Sequence, residues 1–196
     1  MQFRELMVQN RTRRKFDESS PVEMKTLVEL IELTRFMPSG RNMQPLKYIA
    51  VADKAVCDGI FPLLGWAGYL KDWKGPAEGE RPTGYIVMML DRNVADSPGC
   101  DHGIASQAIM LGAVEKGLGG CIIGTVNKKK LSRMLDLPEN FDILLVLALG
   151  VPTQNVVVEP LPSDGSIKYW SGDDDRHHVP KRGLNELLVK SYPEKD

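Results

Sequence analysis

The sequence predicts one well-buried α/β or α+β domain, and three observations carry that expectation. Residues 85–90, 121–126 and 143–149 are apolar runs of strand length, as expected of strands covered on both faces. Around them, apolar residues recur at helical spacing, most clearly over residues 24–36 and 104–118. At 196 residues the chain is long enough for one core and too short to argue for two.

Phe3, Leu6 and Met7 predict a short amphipathic helix that delivers the chain to Asn10-Arg11-Thr12-Arg13-Arg14-Lys15-Phe16. Ser20-Pro21-Val22-Glu23 reads as a capping box with Pro at the first helical position. Met24, Leu27, Val28 and Ile31 then line one face of a helix that runs to about Phe36, where Pro38 and Gly40 stop it. Residues 46–52 alternate as a strand, and Asp53 caps a helix towards Leu64. Residues 66–82 carry Gly68, Gly75, Gly79, Pro76 and Pro82 with Trp66, Tyr69 and Trp73 as large anchors, an ordered excursion and a candidate lid.

Residues 104–118 form the expected central helix, with Ala105, Ala108, Gly112 and Ala113 small enough for another helix to approach. Gly117, Gly119 and Gly120 supply its exit. Asn127 caps a helix bearing Leu131, Met134 and Leu135, which Pro138 ends. From 151 to 182 the pattern dissolves into polar sequence punctuated by Val156, Val157, Val158, Ile167, Tyr169 and Trp170. So long a structureless stretch is unusual inside a compact domain, and the expectation is an extended arm that buries its apolar residues on a partner subunit. Residues 183–189 offer a short closing helix.

Composition excludes several classes. Lys plus Arg total 25 against 26 Asp plus Glu, a net charge of −1, so neither nucleic acid nor an anionic membrane is an expected partner. Cys57, Cys100 and Cys121 are widely spaced and form no C-x-x-C pair, which argues against a disulfide framework or structural zinc. Residues 1–9 lack the apolar core of a signal peptide and no run reaches membrane-spanning length; the expected localisation is cytoplasmic. His177 and His178 after Asp173, Asp174 and Asp175 invite a metal reading, but adjacent histidines point apart and a solvated loop is the expectation. His102 reads as a helix-start residue. Gly117, Gly119 and Gly120 follow a helix instead of opening one, with Ile122 in the third glycine's place of a dinucleotide fingerprint; P-loop and G-x-S-x-G signatures do not occur.

Four cations and a hydroxyl fill the five positions from Arg11 to Lys15, and Pro38-Ser39-Gly40-Arg41-Asn42-Met43-Gln44-Pro45 is a turn crowded with amides and hydroxyls. Arginine forks grip phosphate oxygens bidentately, and a neighbouring hydroxyl completes such a cradle without adding charge. A phosphate-bearing organic cofactor fits this pairing. Flavin mononucleotide in particular needs cations on its phosphate, amides and hydroxyls along its polar ring edge, and a backbone donor near N5.

These two blocks, followed by Gly117-Leu118-Gly119-Gly120-Cys121-Ile122-Ile123-Gly124 and Leu149-Gly150-Val151-Pro152, resemble in order and separation the successive motifs of the FMN-dependent nitroreductase family. The resemblance covers nearly the whole chain. It implies an α+β fold with a mostly antiparallel sheet flanked by helices, a single domain over 1–196, and an intertwined homodimer that exchanges C-terminal arms. It further implies FMN at both interfaces, with Arg11, Thr12, Arg13 and Arg14 on the phosphate and Lys181 and Arg182 completing that site. Pro38, Ser39, Gly40, Arg41, Asn42 and Gln44 are expected to reach the flavin from the other subunit, and the backbone of Ile123 and Gly124 to face N5. Asn10 stands where the family often has Arg, and Thr12 replaces Ser, which shifts weight to Arg13 and the C-terminal pair.

The activity implied is ping-pong oxidoreduction, with NADH or NADPH as donor and a nitroaromatic, quinone or similar small molecule as acceptor. The flavin carries that chemistry, so no catalytic side chain and no metal are expected. Enone reduction, flavin breakdown and noncatalytic flavin binding are the competing readings.

Overall fold

The computed structural model describes residues 2–172 and 176–192. Its chain contacts gather into two compact units, Met1–Thr153 and Gln154–Asp196.

The first unit is built on a four-stranded antiparallel sheet in the order β1-β2-β4-β3, from β1 (Leu46–Val51), β2 (Gly84–Asp91), β3 (Gly119–Ile123) and β4 (Phe141–Gly150). Every residue of β2 is buried, as its unbroken apolar run predicts. Successive side chains of a strand point to opposite faces. Tyr85, Val87 and Met89 accordingly join one core with Val146 and Ala148 of β4, and α3 (Lys54–Ile60) and α5 (Lys128–Met134) cover it through Cys57, Ile60 and Leu131. Ile86 and Met88 join the other with Leu145, Leu147 and Leu149, under α2 (Met24–Glu32) and α4 (Asp101–Glu115). α1 (Phe3–Gln9) lies beside α4, with Gln107 Nε2 3.7 Å from Met7 Sδ.

Asp53 caps α3 by accepting from the Val56 N–H at 3.0 Å, and Asn127 caps α5 from Lys130 at 3.2 Å, both as the sequence predicts. α4 approaches α2 closely at Gly112, where an added Cβ would stand 3.0 Å from Leu30 Cδ2 and 2.4 Å from Cδ1 of Leu33, just past the end of α2. Gly117, at φ 76°, turns the chain out of α4, whereas Gly119 and Gly120 already belong to β3.

Two local expectations are corrected. The capping box at Ser20 does not form: Ser20 Oγ donates to Asp17 Oδ2 at 2.6 Å, its carbonyl accepts from Thr83 Oγ1, and α2 starts at Met24 without a side-chain cap. The buried face of α2 is Leu27 and Leu30, while Met24 and Val28 are exposed. In the excursion over 66–82, Trp66 packs on Phe61 with ring centroids 5.5 Å apart and closes against Gly75, whose Cβ would lie 2.7 Å from Trp66 Cδ1. Trp66 therefore packs against the core as one of the large anchors that the sequence predicts.

The second unit, where an extended arm is expected over 151–182, carries a small sheet in the order β5-β7-β6, from β5 (Asn155–Pro160), β6 (Trp170–Ser171) and β7 (Arg176–Lys181), followed by the four-residue α6 (Leu184–Leu187). β5 and β7 run parallel and β6 antiparallel. His177 is no loop residue: it is buried, with Tyr169 beside it, and His178 stacks on Trp170 while its Nδ1 lies 2.9 Å from Glu159 Oε1. Aromatic side chains supplied this local core, which the polar composition concealed. Asp173, Asp174 and Asp175 lie outside the described residues. Among the described residues no group of three or more His, Cys, Asp and Glu is placed to hold a metal ion, and no helix is long and apolar enough to cross a membrane.

Gly120 tests how tightly β3 is seated. A Cβ there would stand 2.6 Å from the Ala148 carbonyl oxygen, a backbone atom that cannot swing aside. Gly120→Ala is expected to cost about 1–3 kcal/mol of stability through overpacking, measured by urea unfolding; an unchanged midpoint rules that contact out.

Candidate functional site

The cationic block lies along β3, the edge of the main sheet. Thr12 forms a parallel bridge with Gly120, and the Arg13 N–H donates to the Gly120 carbonyl at 2.8 Å. An extended segment sends alternate side chains to opposite sides. Arg11 and Arg13 accordingly line a small cavity of about 120 Å³ with Gln9, Val114, Gly117 and Pro152, at the C-terminal end of α4. Arg14 points the other way and hydrogen-bonds the buried Cys121 thiol. Arg11 also closes the end of α1, its Nη2 donating to the Met7 carbonyl at 3.3 Å. Burial, and secondly the neighbouring Arg11 charge, push the Arg13 pKa down from its ordinary value.

Further along the same strand, Ile123 is buried and Gly124 is exposed, with open space where a Cβ would stand. Four residues separate Gly120 from Gly124, about 13 Å along an extended chain. One sheet edge thus carries cations at one end and accessible backbone at the other.

The second block is a tight turn at the opposite end of α4. Ser39 Oγ donates to Asp101 Oδ2 at 2.6 Å and the Gly40 N–H donates to Asp101 Oδ1 at 3.1 Å. Ser39 Oγ in turn accepts from the Gln44 N–H at 2.9 Å, and Gln44 Nε2 donates to the Asn42 carbonyl at 3.1 Å. Arg41, Asn42 and Gln44 have φ of 53°, 56° and 51°, left-handed backbone that side chains disfavour. Their side chains are exposed. Pro38 leads into the turn and lines two cavities of about 350 and 520 Å³ that share Pro38, Ser39 and Asp101 as a common wall. In the first of these, burial, with a smaller contribution from the Asp101 charge and a partial offset from the Thr34 hydroxyl, pushes the Tyr48 phenol up from the ordinary value.

α4 has 15 residues, so its ends stand about 22 Å apart. The sheet gives the same picture: the turn enters β1 at Leu46, opposite Leu90, while the cationic block pairs with Gly120, opposite Leu149. Within one chain the two blocks occupy diagonal corners of the sheet, and the structure does not bring them together. Lys181 and Arg182 belong to the second unit, where Lys181 ends β7 and Arg182 pairs with Glu186 at 2.8 Å. Asp101, which holds the turn through Ser39 and Gly40, is the residue of this corner that the sequence reading missed. It starts α4 three residues earlier than the apolar pattern suggests, and an Asp just past Pro98-Gly99 was the available signal.

An antiparallel sheet sandwiched between helix layers, with a cationic segment strapped to its edge strand, defines an α+β protein of the nitroreductase fold. The sequence model of the Nitroreductase family matches residues 7–72 and 94–151, and the chain belongs to that family. It is 40% identical over 62 residues to the NADPH-flavin oxidoreductase of Vibrio harveyi, a match spanning 31% of this chain and 26% of that protein. Among solved structures, it resembles a nitroreductase family protein from Clostridium novyi NT with a TM-score of 0.65 and 25% identity, over 78% of this chain and 86% of that one. An FMN-dependent nitroreductase from Clostridium difficile R20291 aligns with a TM-score of 0.63 and 22% identity, over 76% and 87%.

The thiols report on burial at this site. Cys100 is exposed, whereas burial pushes the Cys57 thiol up to about 11 and also raises Cys121, which Arg14 only partly offsets. Iodoacetamide at pH 8 is expected to label Cys100 in the native protein, with Cys57 and Cys121 following only on unfolding, as read by peptide mass spectrometry. Because unfolding returns Cys57 towards its ordinary value of 9.0, its contribution to stability is complete below that pH and is lost as pH rises through the folded value.

Proposed function

We propose that the chain is an FMN-dependent NAD(P)H oxidoreductase that works as a homodimer and passes electrons by a ping-pong route to a small electron-poor acceptor such as a nitroaromatic or a quinone. The observation that carries this reading is the edge strand β3, with Thr12 and the arginines at one end and open space beside Gly124 at the other. The residues fit the cofactor. Thr12 and Arg14, with Arg11 and Arg13 behind them, suit a phosphate dianion, and a planar ring requires an exposed backbone position with nothing beside it. FMN, when bound, supplies hydride acceptance from a reduced nicotinamide and delivery of the electrons to an acceptor.

The chain's own residues position and bias that chemistry. Thr12 and Arg14 hold the phosphate, Arg11 and Arg13 add positive charge from the other side of the segment, and the sequence resemblance adds Lys181 and Arg182 to the set. The backbone of Ile123 and Gly124 donates at the ring. The diagonal placement of the two blocks supports a shared site: under a two-fold axis, the cationic edge of one protomer meets the turn of its partner. Pro38, Ser39, Gly40, Arg41, Asn42 and Gln44 then close the polar ring edge from across the interface, and Arg41 is placed to face an acceptor.

Purified protein is expected to be yellow, to release FMN on heating and to be bleached anaerobically by NADH or NADPH; protein that stays colourless with added FMN ends this reading. Arg14→Ala should weaken FMN about 10- to 100-fold, the worth of about 1.5–3 kcal/mol for a charged hydrogen bond, as measured by quenching of flavin fluorescence. Shared sites make a further demand. A heterodimer of one Arg14→Ala protomer and one Asn42→Ala protomer should regain one tight FMN per dimer, although each parent homodimer binds weakly at both sites. Heterodimers no better than the parents would place both blocks on the same flavin within one chain.

A further inference from the structure

The geometry points to Asp101 as the positioning residue of the site: its carboxylate sets the left-handed turn that presents Arg41, Asn42 and Gln44. This rests on the flavin reading for its functional consequence, but not for its structural basis. Both carboxylate oxygens are committed, Oδ2 to the Ser39 hydroxyl at 2.6 Å and Oδ1 to the Gly40 N–H at 3.1 Å. Ser39 passes the constraint on, since its Oγ accepts the Gln44 N–H at 2.9 Å.

The proton order along this chain is fixed. Ser39 must donate to Asp101 in order to offer its lone pairs to Gln44, so an acceptor-only group is required at 101. Asp101 is 8% exposed and sits in the first turn of a 15-residue helix, a rigid base for a turn with three non-glycine residues at positive φ. Such conformations persist only where the surroundings over-determine them. Asp101 and Ser39 also line both cavities of about 350 and 520 Å³. A merely structural role, favouring the N-terminus of α4 by charge, would not need Ser39.

Amide hydrogen exchange on the flavin-free full-length protein separates these roles. In Asp101→Ala the Gly40 and Gln44 amides are expected to exchange at least tenfold faster, while the α4 amides around Ile109 keep their protection; Asp101→Asn, which retains one acceptor, should fall between Ala and wild type. FMN affinity, read by fluorescence quenching, should weaken at least tenfold in Asp101→Ala, with the visible band shape of the bound flavin altered at saturation. Ser39→Ala combined with Asp101→Ala should add nothing to Asp101→Ala alone. Unchanged exchange at the turn, or equal acceleration throughout α4, overturns the positioning role. Released turn amides with undiminished FMN affinity overturn its link to the site. Should the wild type take up no FMN, the flavin reading falls and the exchange result alone decides the positioning role.

Discussion

A strand pair that is apolar on both faces has to be covered on both faces, and the rest of this molecule follows from that requirement. β2 exposes almost nothing along its length, and its neighbour β4 is buried from Val146 to Gly150. Fully burying side chains such as Val87, Ile86 and Leu147 contributes about 1.5–3 kcal/mol each. No single helix layer can collect that from two opposite faces. α3 and α5 therefore take one side and α2 and α4 the other, where Gly112 lets α4 lie close against Leu30 of α2.

With β2 and β4 in the middle, β1 and β3 are left as edges, and the two site blocks sit on those edges. An unpaired edge is a liability as well as an opportunity. Along β3 the bridge at Thr12 covers the first part, Gly124 beyond Ile123 is exposed, and the Leu64–Val126 bridge closes the chain again two residues on. α4 then ties the corners together mechanically: Arg11 and Arg13 line a cavity against its last turn, and Asp101 opens its first. The distance between the blocks is a helix length because one helix spans them.

Legibility in the sequence followed the same hierarchy. β2, β4, α4, α3 and α5 were readable because burial or a local cap dictated each from within its own segment, as with Asp53 and Asn127. Ser20 was misread because its hydroxyl found Asp17 and its carbonyl found Thr83, 63 residues away, a partner that no local pattern announces. The second unit hid its strands because its core is made by histidines and aromatics, with His177 buried and His178 stacked on Trp170. Motif residues of the site were legible through resemblance, but neither the left-handed turn nor the partner that holds it could be read from composition.

That difference between motif and anchor has a physical consequence. Left-handed backbone at Arg41, Asn42 and Gln44 disfavours the turn by of order 1 kcal/mol or more per residue. Contacts made by those exposed side chains are too few to repay it. The restoring interactions are made instead by the half-buried Ser39 and the buried Asp101, together with the backbone of Gly40 and Gln44. Shape and presented chemistry are thus carried by different positions. A substitution at 41 changes the presented side chain while the Asp101 and Ser39 contacts stay in place, whereas one at 42 also removes a residue type that tolerates left-handed backbone, and a change at 101 alters the geometry for whatever side chains stand there.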